Sequence, residues 1–138
     1  MFELDSRLQN DTIFIGDFSL CRLLLMNDST YPWFILVPRR KDMAELYQLD
    51  ELDLQECWQE SALLGRWMAM TFEFDKLNIG ALGNVVQQLH LHHVGRSTTD
   101  PTWPGPVWGQ HPPKPYVASE IERIKQQART DLAGSLGD

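Results

Sequence analysis

The chain has 138 residues, a formal net charge of −7 and two cysteines. That length suits one domain with a buried core, and the acidic balance argues against unspecific binding to nucleic acid or an anionic membrane, which needs a basic surface. Cys21 and Cys57 are too isolated for a disulfide framework or a cysteine-rich metal site, no apolar run of about 18 residues signals a membrane span, and Met1-Phe2-Glu3-Leu4-Asp5 lacks the start of a signal peptide.

A cytoplasmic protein with buried thiols is therefore expected. Along the chain, residues 5–9 allow one polar helical turn. Residues 12–15 and 18–26 read as two strands, with the turn-prone pair Gly16-Asp17 joining them as an antiparallel hairpin. Asn27-Asp28-Ser29-Thr30 is turn chemistry. The apolar run Phe34-Ile35-Leu36-Val37, ended by Pro38, reads as a buried strand. Arg39-Arg40-Lys41 follows, either a solvated strand end or a guide for an anion.

Residues 42–47 allow a short helix, and a longer one is expected from a cap near Asp50 to about Phe72. Leu54, Cys57, Trp58, Ser61, Leu64, Gly65, Met68 and Phe72 recur on it at helical spacing as a core-facing stripe. Residues 77–80 read as the next strand, and Gly83-Asn84 opens a turn. Helix thus sits between hairpin-type strands, which favours an α+β antiparallel sheet over a doubly wound one.

Gln88-Leu89-His90-Leu91-His92-His93-Val94 holds three of the four histidines. Its apolar members predict a partly buried strand, on which alternate side chains share a face. Gln88, His90 and His92 fall on one face, with Leu89, Leu91 and His93 on the other. Beyond Arg96, residues 97–116 carry Pro101, Pro104, Pro106, Pro112, Pro113 and Pro115, a density that blocks regular structure. Trp103 and Trp108 in that segment need something to cover: the sheet, a partner subunit or a nucleobase. Ser119 can cap a last helix through Asp131 with Ile121, Ile124 and Ala128 on one side, and residues 133–138 are expected to fray.

Three chemistries could use the histidines. His90 and His92 could be two ligands of a metal, although a catalytic site normally needs a third and only His111 stands nearby in sequence. They could be strand histidines that merely cluster. Or His90 is a nucleophile toward phosphorus and His92 holds or protonates the phosphate, which suits imidazole near neutral pH.

The last reading gains from a resemblance. The 88–94 segment resembles the signature of the histidine-triad (HIT) superfamily of nucleotide hydrolases and transferases, His-φ-His-φ-His-φ-φ, with Gln88 at the first position. Asn78-Ile79-Gly80 resembles the family's Asn-x-Gly, and Asn84 falls where a phosphate-contacting glutamine is common. Asn27 matches the ribose-binding residue at the end of the family's hairpin. Trp103-Pro104-Gly105-Pro106-Val107-Trp108 looks similar to bacterial members of the dinucleoside polyphosphate hydrolase type. Pro32-Trp33 stands in place of the family's Gly-His.

The resemblance implies an antiparallel sheet of about five strands with one long and one short helix, then a proline-rich segment and a final helix. The division is one domain over 1–138, a core to about residue 96 and an extension beyond. It implies catalytic roles for His90 and His92, substrate contacts from Asn27, Asn78, Asn84 and Gln88, no metal or other cofactor in the chemical step, and a nucleotidyl-histidine intermediate at His90. The substrate is then a phosphoanhydride or phosphoramidate of the dinucleoside polyphosphate kind. A homodimer joined through the long helix and a sheet edge is implied, with Trp58 and Trp67 as apolar surface. A weakly catalytic nucleotide-binding protein and a metal-dependent hydrolase using His90 and His92 remain the alternatives.

Overall fold

The structure is a computed structural model and describes residues 1–137. Its elements are α1 (Ser6–Asp11), β1 (Thr12–Asp17), β2 (Cys21–Met26), β3 (Trp33–Pro38), α2 (Glu51–Thr71), β4 (Lys76–Gly80), β5 (Leu91–Arg96) and α3 (Ala118–Asp131), with a 3₁₀ turn at Leu46–Gln48. The strands form one five-stranded sheet in the order β1-β2-β3-β5-β4. Every neighbouring pair is antiparallel. This is the α+β architecture expected from the residue pattern.

The period of two along each strand divides the apolar side chains between two layers. Leu23, Leu25, Phe34, Leu36 and Leu91 face α2 and α3, where they meet Leu64, Trp67, Met68, Ile124 and Ala128. Leu24, Ile35, Val37 and Val94 face the other way, against Leu8 of α1, Tyr31 and Val107. Each large side chain buried in these layers contributes about 1.5–3 kcal/mol. Both layers grip β3, whose six residues are all buried.

α2 starts where Asp50 accepts the Asp53 N–H at 2.8 Å, the ordinary N-cap bond. Its buried stripe is Cys57, Glu60, Ser61, Leu64, Trp67 and Met68. Trp58 instead lies 47% exposed and Trp67 1% exposed, so only the first is available as surface. Glu60 was not visible as a core residue in the pattern. Its two carboxylate oxygens accept the N–H groups of Leu20 and Cys21 at 2.9 and 2.8 Å, tying α2 to the start of β2. Burial raises the Glu60 pKa, with those two amides opposing the rise.

Several local expectations need correction. The hairpin turn is at residues 18–20, and Gly16-Asp17 belongs to β1, which carries an irregularity between Phe14 and Gly16. Gly16 is glycine for another reason: a Cβ there would stand 2.6 Å from the Gly137 carbonyl oxygen and 2.8 Å from Leu136 Cγ. Residues 133–137 do not fray, because Asp17 and Gly137 exchange two backbone hydrogen bonds of 2.7 and 2.8 Å; Asp138 lies outside the described residues. The short helix expected over 42–47 is reduced to the 3₁₀ turn. α3 begins at Ala118 with Val117 at its cap and no side-chain cap bond, so Ser119 sits inside the first turn. The histidine strand begins only at Leu91, which leaves Gln88, at a bend, Leu89 and His90 as a lead-in outside the sheet.

Candidate active site

Register fixes which way each histidine points. His92 pairs with Ile35 and Gly80, while His93 pairs with Phe34 and Ile79. His92 therefore joins the layer of α1 and the proline-rich segment, and His93 joins the helix layer. The His93 Nδ1–H donates to the Leu91 carbonyl at 3.1 Å, so its Nε2 accepts from the Ser61 hydroxyl at 2.7 Å. Both side chains are buried, and burial pulls the His93 pKa down to about 4. That imidazole is a satisfied core group.

His90 and His92 stand together, with ring centroids 4.9 Å apart. The His90 Nδ1 lies 2.6 Å from the Gln88 carbonyl oxygen. A carbonyl only accepts, so Nδ1 carries the proton and the neutral ring keeps its lone pair on Nε2. His92 has the opposite arrangement. The Trp33 indole N–H donates to His92 Nδ1 at 3.0 Å, which puts the proton of the neutral ring on Nε2. Burial, then His90 and His93, lower the His92 pKa to about 3. The pair thus combines one bare nitrogen with one N–H donor, the complement a phosphoryl transfer needs.

The proline-rich segment closes over this face. Trp108 packs edge-on against His92 with centroids 5.4 Å apart, and Val107 enters the apolar layer. The segment is held by buried Arg96, whose guanidinium forks onto Asp100 at 2.8 and 3.1 Å and also reaches Asn78 Oδ1 and Thr102. Trp103 lies under the same guanidinium, 5.7 Å from ring centroid to Cζ. Arg96 holds the Asp100 carboxyl down at about 2. His111 stacks on Tyr31, and its Nε2 is 3.1 Å from the Tyr31 hydroxyl. The two tryptophans thus cover the sheet of their own chain.

A cleft of about 470 Å³ opens beside Trp33, with Met26, Asn27, Asp28, Val107 and His111 among its walls. Trp33 joins this cleft to the histidine pair. Asn27 is oriented by the Tyr116 N–H, which its Oδ1 accepts at 2.9 Å. Asn78 is engaged with Arg96, and Asn84 is exposed in the turn before the histidine segment. The Gln88 side chain turns to the N-terminal segment, where Oε1 accepts from the Asp5 N–H and Nε2 donates to the Glu3 carbonyl, each at 2.8 Å. Arg39 donates to the carbonyls of Phe18 and Ser19, and Arg40 is bidentate with Asp53. Neither arginine is a free guide for an anion. Among the described residues, no group of three or more His, Cys, Asp or Glu side chains is placed to hold a metal ion.

The HIT domain family matches residues 7–99. The chain belongs to the HIT family. A histidine triad protein from Marinobacter aquaeolei shares 46% identity, with 98% of each chain covered and a TM-score of 0.94. One from Bradyrhizobium japonicum shares 43% over 94% of this chain and 96% of its own, with a TM-score of 0.90. A histidine triad (HIT) protein from Sinorhizobium meliloti shares 42% over 96% and 98%, with a TM-score of 0.92. No match was found among curated proteins. HIT membership points to nucleotide-related hydrolase or transferase activity.

Within this HIT chain, the contacts of Trp33 and His111 are the part of the site that the sequence does not assign. Trp33 carries a signal, since it stands where the family has a histidine beside the apolar strand, and its indole N–H meets His92. His111, weighed from sequence only as a third metal ligand, folds back onto Tyr31 instead, which nothing local in a proline-rich loop signals. No helix among the described residues is long and apolar enough to cross a membrane.

Proposed function

We propose that the chain is a nucleotide hydrolase or nucleotidyl transferase acting on a phosphoanhydride or phosphoramidate, with dinucleoside polyphosphates as the favoured class. The observation that carries this reading is the 2.6 Å contact of His90 Nδ1 with the Gln88 carbonyl, which leaves Nε2 unprotonated beside the Nε2–H of His92. In the first step the His90 Nε2 lone pair forms a P–N bond and the P–O or P–N bond to the leaving group breaks. His92 donates a hydrogen bond to the phosphate oxygens, where charge accumulates. In the second step water or another acceptor forms a bond to phosphorus as the P–N bond breaks, the electron pair returns to His90 Nε2, and the acceptor's proton passes to the departing group or to solvent.

The cleft beside Trp33 fits the nucleoside portion, with Asn27 as its polar contact, and Asn84 is the candidate phosphate contact. Asn78 and Gln88 support the site from behind, since the Asn78 Oδ1 is committed to Arg96 and both polar atoms of the Gln88 amide to the N-terminal segment. A two-fold dimer through α2 and the β4 edge fits the exposure of Leu52, Trp58, Met70 and Ile79. Two free, buried thiols suit a cytoplasmic setting.

The test is a turnover screen of dinucleoside polyphosphates, nucleoside phosphoramidates and nucleotide sugars by chelator-treated protein. Release of a nucleoside monophosphate from one class is expected, with His90→Ala lower by several orders of magnitude. Reversible binding without turnover would replace the enzyme with a nucleotide-binding protein. Activity restored only by added metal would favour a metal-dependent hydrolase.

A further inference from the structure

We propose that Gln88 is a positioning residue that couples the nucleophile's lead-in to the N-terminal segment, so that residues 3–5 serve the chemistry without touching the substrate. This rests on His90 as the attacking group.

The lead-in needs such a device. β5 starts at Leu91, so Gln88, Leu89 and His90 have no strand neighbour to fix them. Yet the group that sets the His90 proton is the backbone carbonyl of Gln88, at 2.6 Å. A displaced carbonyl would let the proton move to Nε2, and the lone pair would then point away from the substrate. Two contacts hold this peptide. The Leu89 N–H donates to the Met43 carbonyl at 2.9 Å. The Gln88 amide forks onto the peptide groups either side of Leu4, accepting from Asp5 N–H and donating to Glu3 C=O.

An amide fork bonded in this way pairs with the backbone as an adjacent strand would. The segment it grips is itself anchored. Phe2 and Leu4 pack on the apolar layer beneath the site. Asp5 caps α1, its side chain accepting the Arg7 N–H at 2.8 Å and its carbonyl accepting the Gln9 N–H at 3.0 Å. Gln88 is thereby bolted to α1 through a short rigid link. A histidine has one donor and one acceptor nitrogen as well, but they diverge from the ring and cannot make two parallel bonds to one extended strand. A glutamine at the first motif position is then an alternative way of holding the nucleophile rather than a loss.

The backbone offers a clean test. Asp5 has φ −53°, close to the value proline imposes, and its N–H is the donor to Gln88. Asp5→Pro deletes that donor with little change of conformation. Asp5→Ala removes the same cap carboxylate but keeps the N–H, and serves as the control. The readouts are kcat, KM and the ¹⁵N spectrum of histidine-labelled protein, which reports the His90 tautomer in the resting chain whether or not any substrate has been identified. Asp5→Pro measured against Asp5→Ala is expected to lower kcat about tenfold, the scale of one hydrogen bond, and Gln88→Ala, which loses both bonds of the fork, by about tenfold or more, each with KM within about twofold. With Gln88→Ala already in place, Asp5→Pro should be no worse than Asp5→Ala, and both Gln88→Ala and Asp5→Pro should lose the single Nδ1–H form of His90. Gln88→His is expected to fall between wild type and Gln88→Ala. A His90 tautomer unchanged in both Gln88→Ala and Asp5→Pro would overturn the proposal, as would a loss confined to KM, which would make Gln88 a substrate contact. If the wild-type chain turns over nothing while the tautomer still responds, the coupling stands and the assignment of the nucleophile falls.

Discussion

Acid should destabilise this protein through two histidines. Native His92 is held near 3 and native His93 near 4, in both cases chiefly by burial, whereas an unfolded histidine titrates near 6.5. Below that value the unfolded chain takes up protons that the folded chain refuses. The stability these rings confer is therefore fully present above about pH 6.5 and falls as the pH drops toward 4 and then 3. Each contributes a slope of about 1.4 kcal/mol per pH unit, so the pair gives about 2.7 between roughly pH 5.5 and 4.5, and about 4 kcal/mol is lost by pH 5. That is a large share of the usual 5–15 kcal/mol of a folded domain. Two other groups bracket the window. Asp100, held near 2 by Arg96, loses its contribution only below about pH 4, and Glu60, raised by burial, changes stability in the opposite direction. Urea unfolding at half-unit steps from pH 7 to 4.5 measures the slope. His93→Gln should reduce it by about half. Stability that stays level or rises between pH 6 and 5 would show that these rings are not buried in neutral form.

Other perturbations separate the two faces of β5. Trp33→Phe leaves the buried His92 Nδ1 without its donor, so we expect about 1–3 kcal/mol lost in chemical denaturation and a His92 ¹⁵N spectrum showing both tautomers. Ser61→Ala should cost a similar 1–3 kcal/mol by orphaning His93 Nε2, with kcat unchanged in a standard turnover assay. Sedimentation at micromolar concentration should give a dimer, and Trp58→Glu a monomer. A monomeric wild-type chain with full activity would remove the dimer from the account.

Much of the fold could be read from residue pattern because burial imposes it. The run from Phe34 to Val37 and the stripe through Cys57, Leu64 and Met68 must face a core, and they do. The alternation that separates His92 from His93 follows from strand period alone. What escaped was set by distant partners. Gly16 looked like a turn residue because glycine usually is one, but its reason is the tail at Leu136 and Gly137. Glu60 in a helix reads as surface until the amides of Leu20 and Cys21 are seen to receive it. Arg39 and Arg40 read as a solvated strand end or an anion guide, because the Phe18 carbonyl and the Asp53 carboxylate that receive them lie more than ten residues away in sequence. The motif located His90 and His92, while the hydrogen bonds that leave one with a bare Nε2 and the other with an Nε2–H come from Gln88 and Trp33.

The central claim is that phosphorus bonds to His90. Rapid mixing with a dinucleoside polyphosphate, quenching without acid and peptide mass spectrometry would locate the adduct directly. The account predicts a nucleotidyl group on the peptide containing His90, absent from His90→Ala and retained at reduced rate in His92→Ala. An adduct on His92 or His111, or undiminished turnover by His90→Ala, would contradict it.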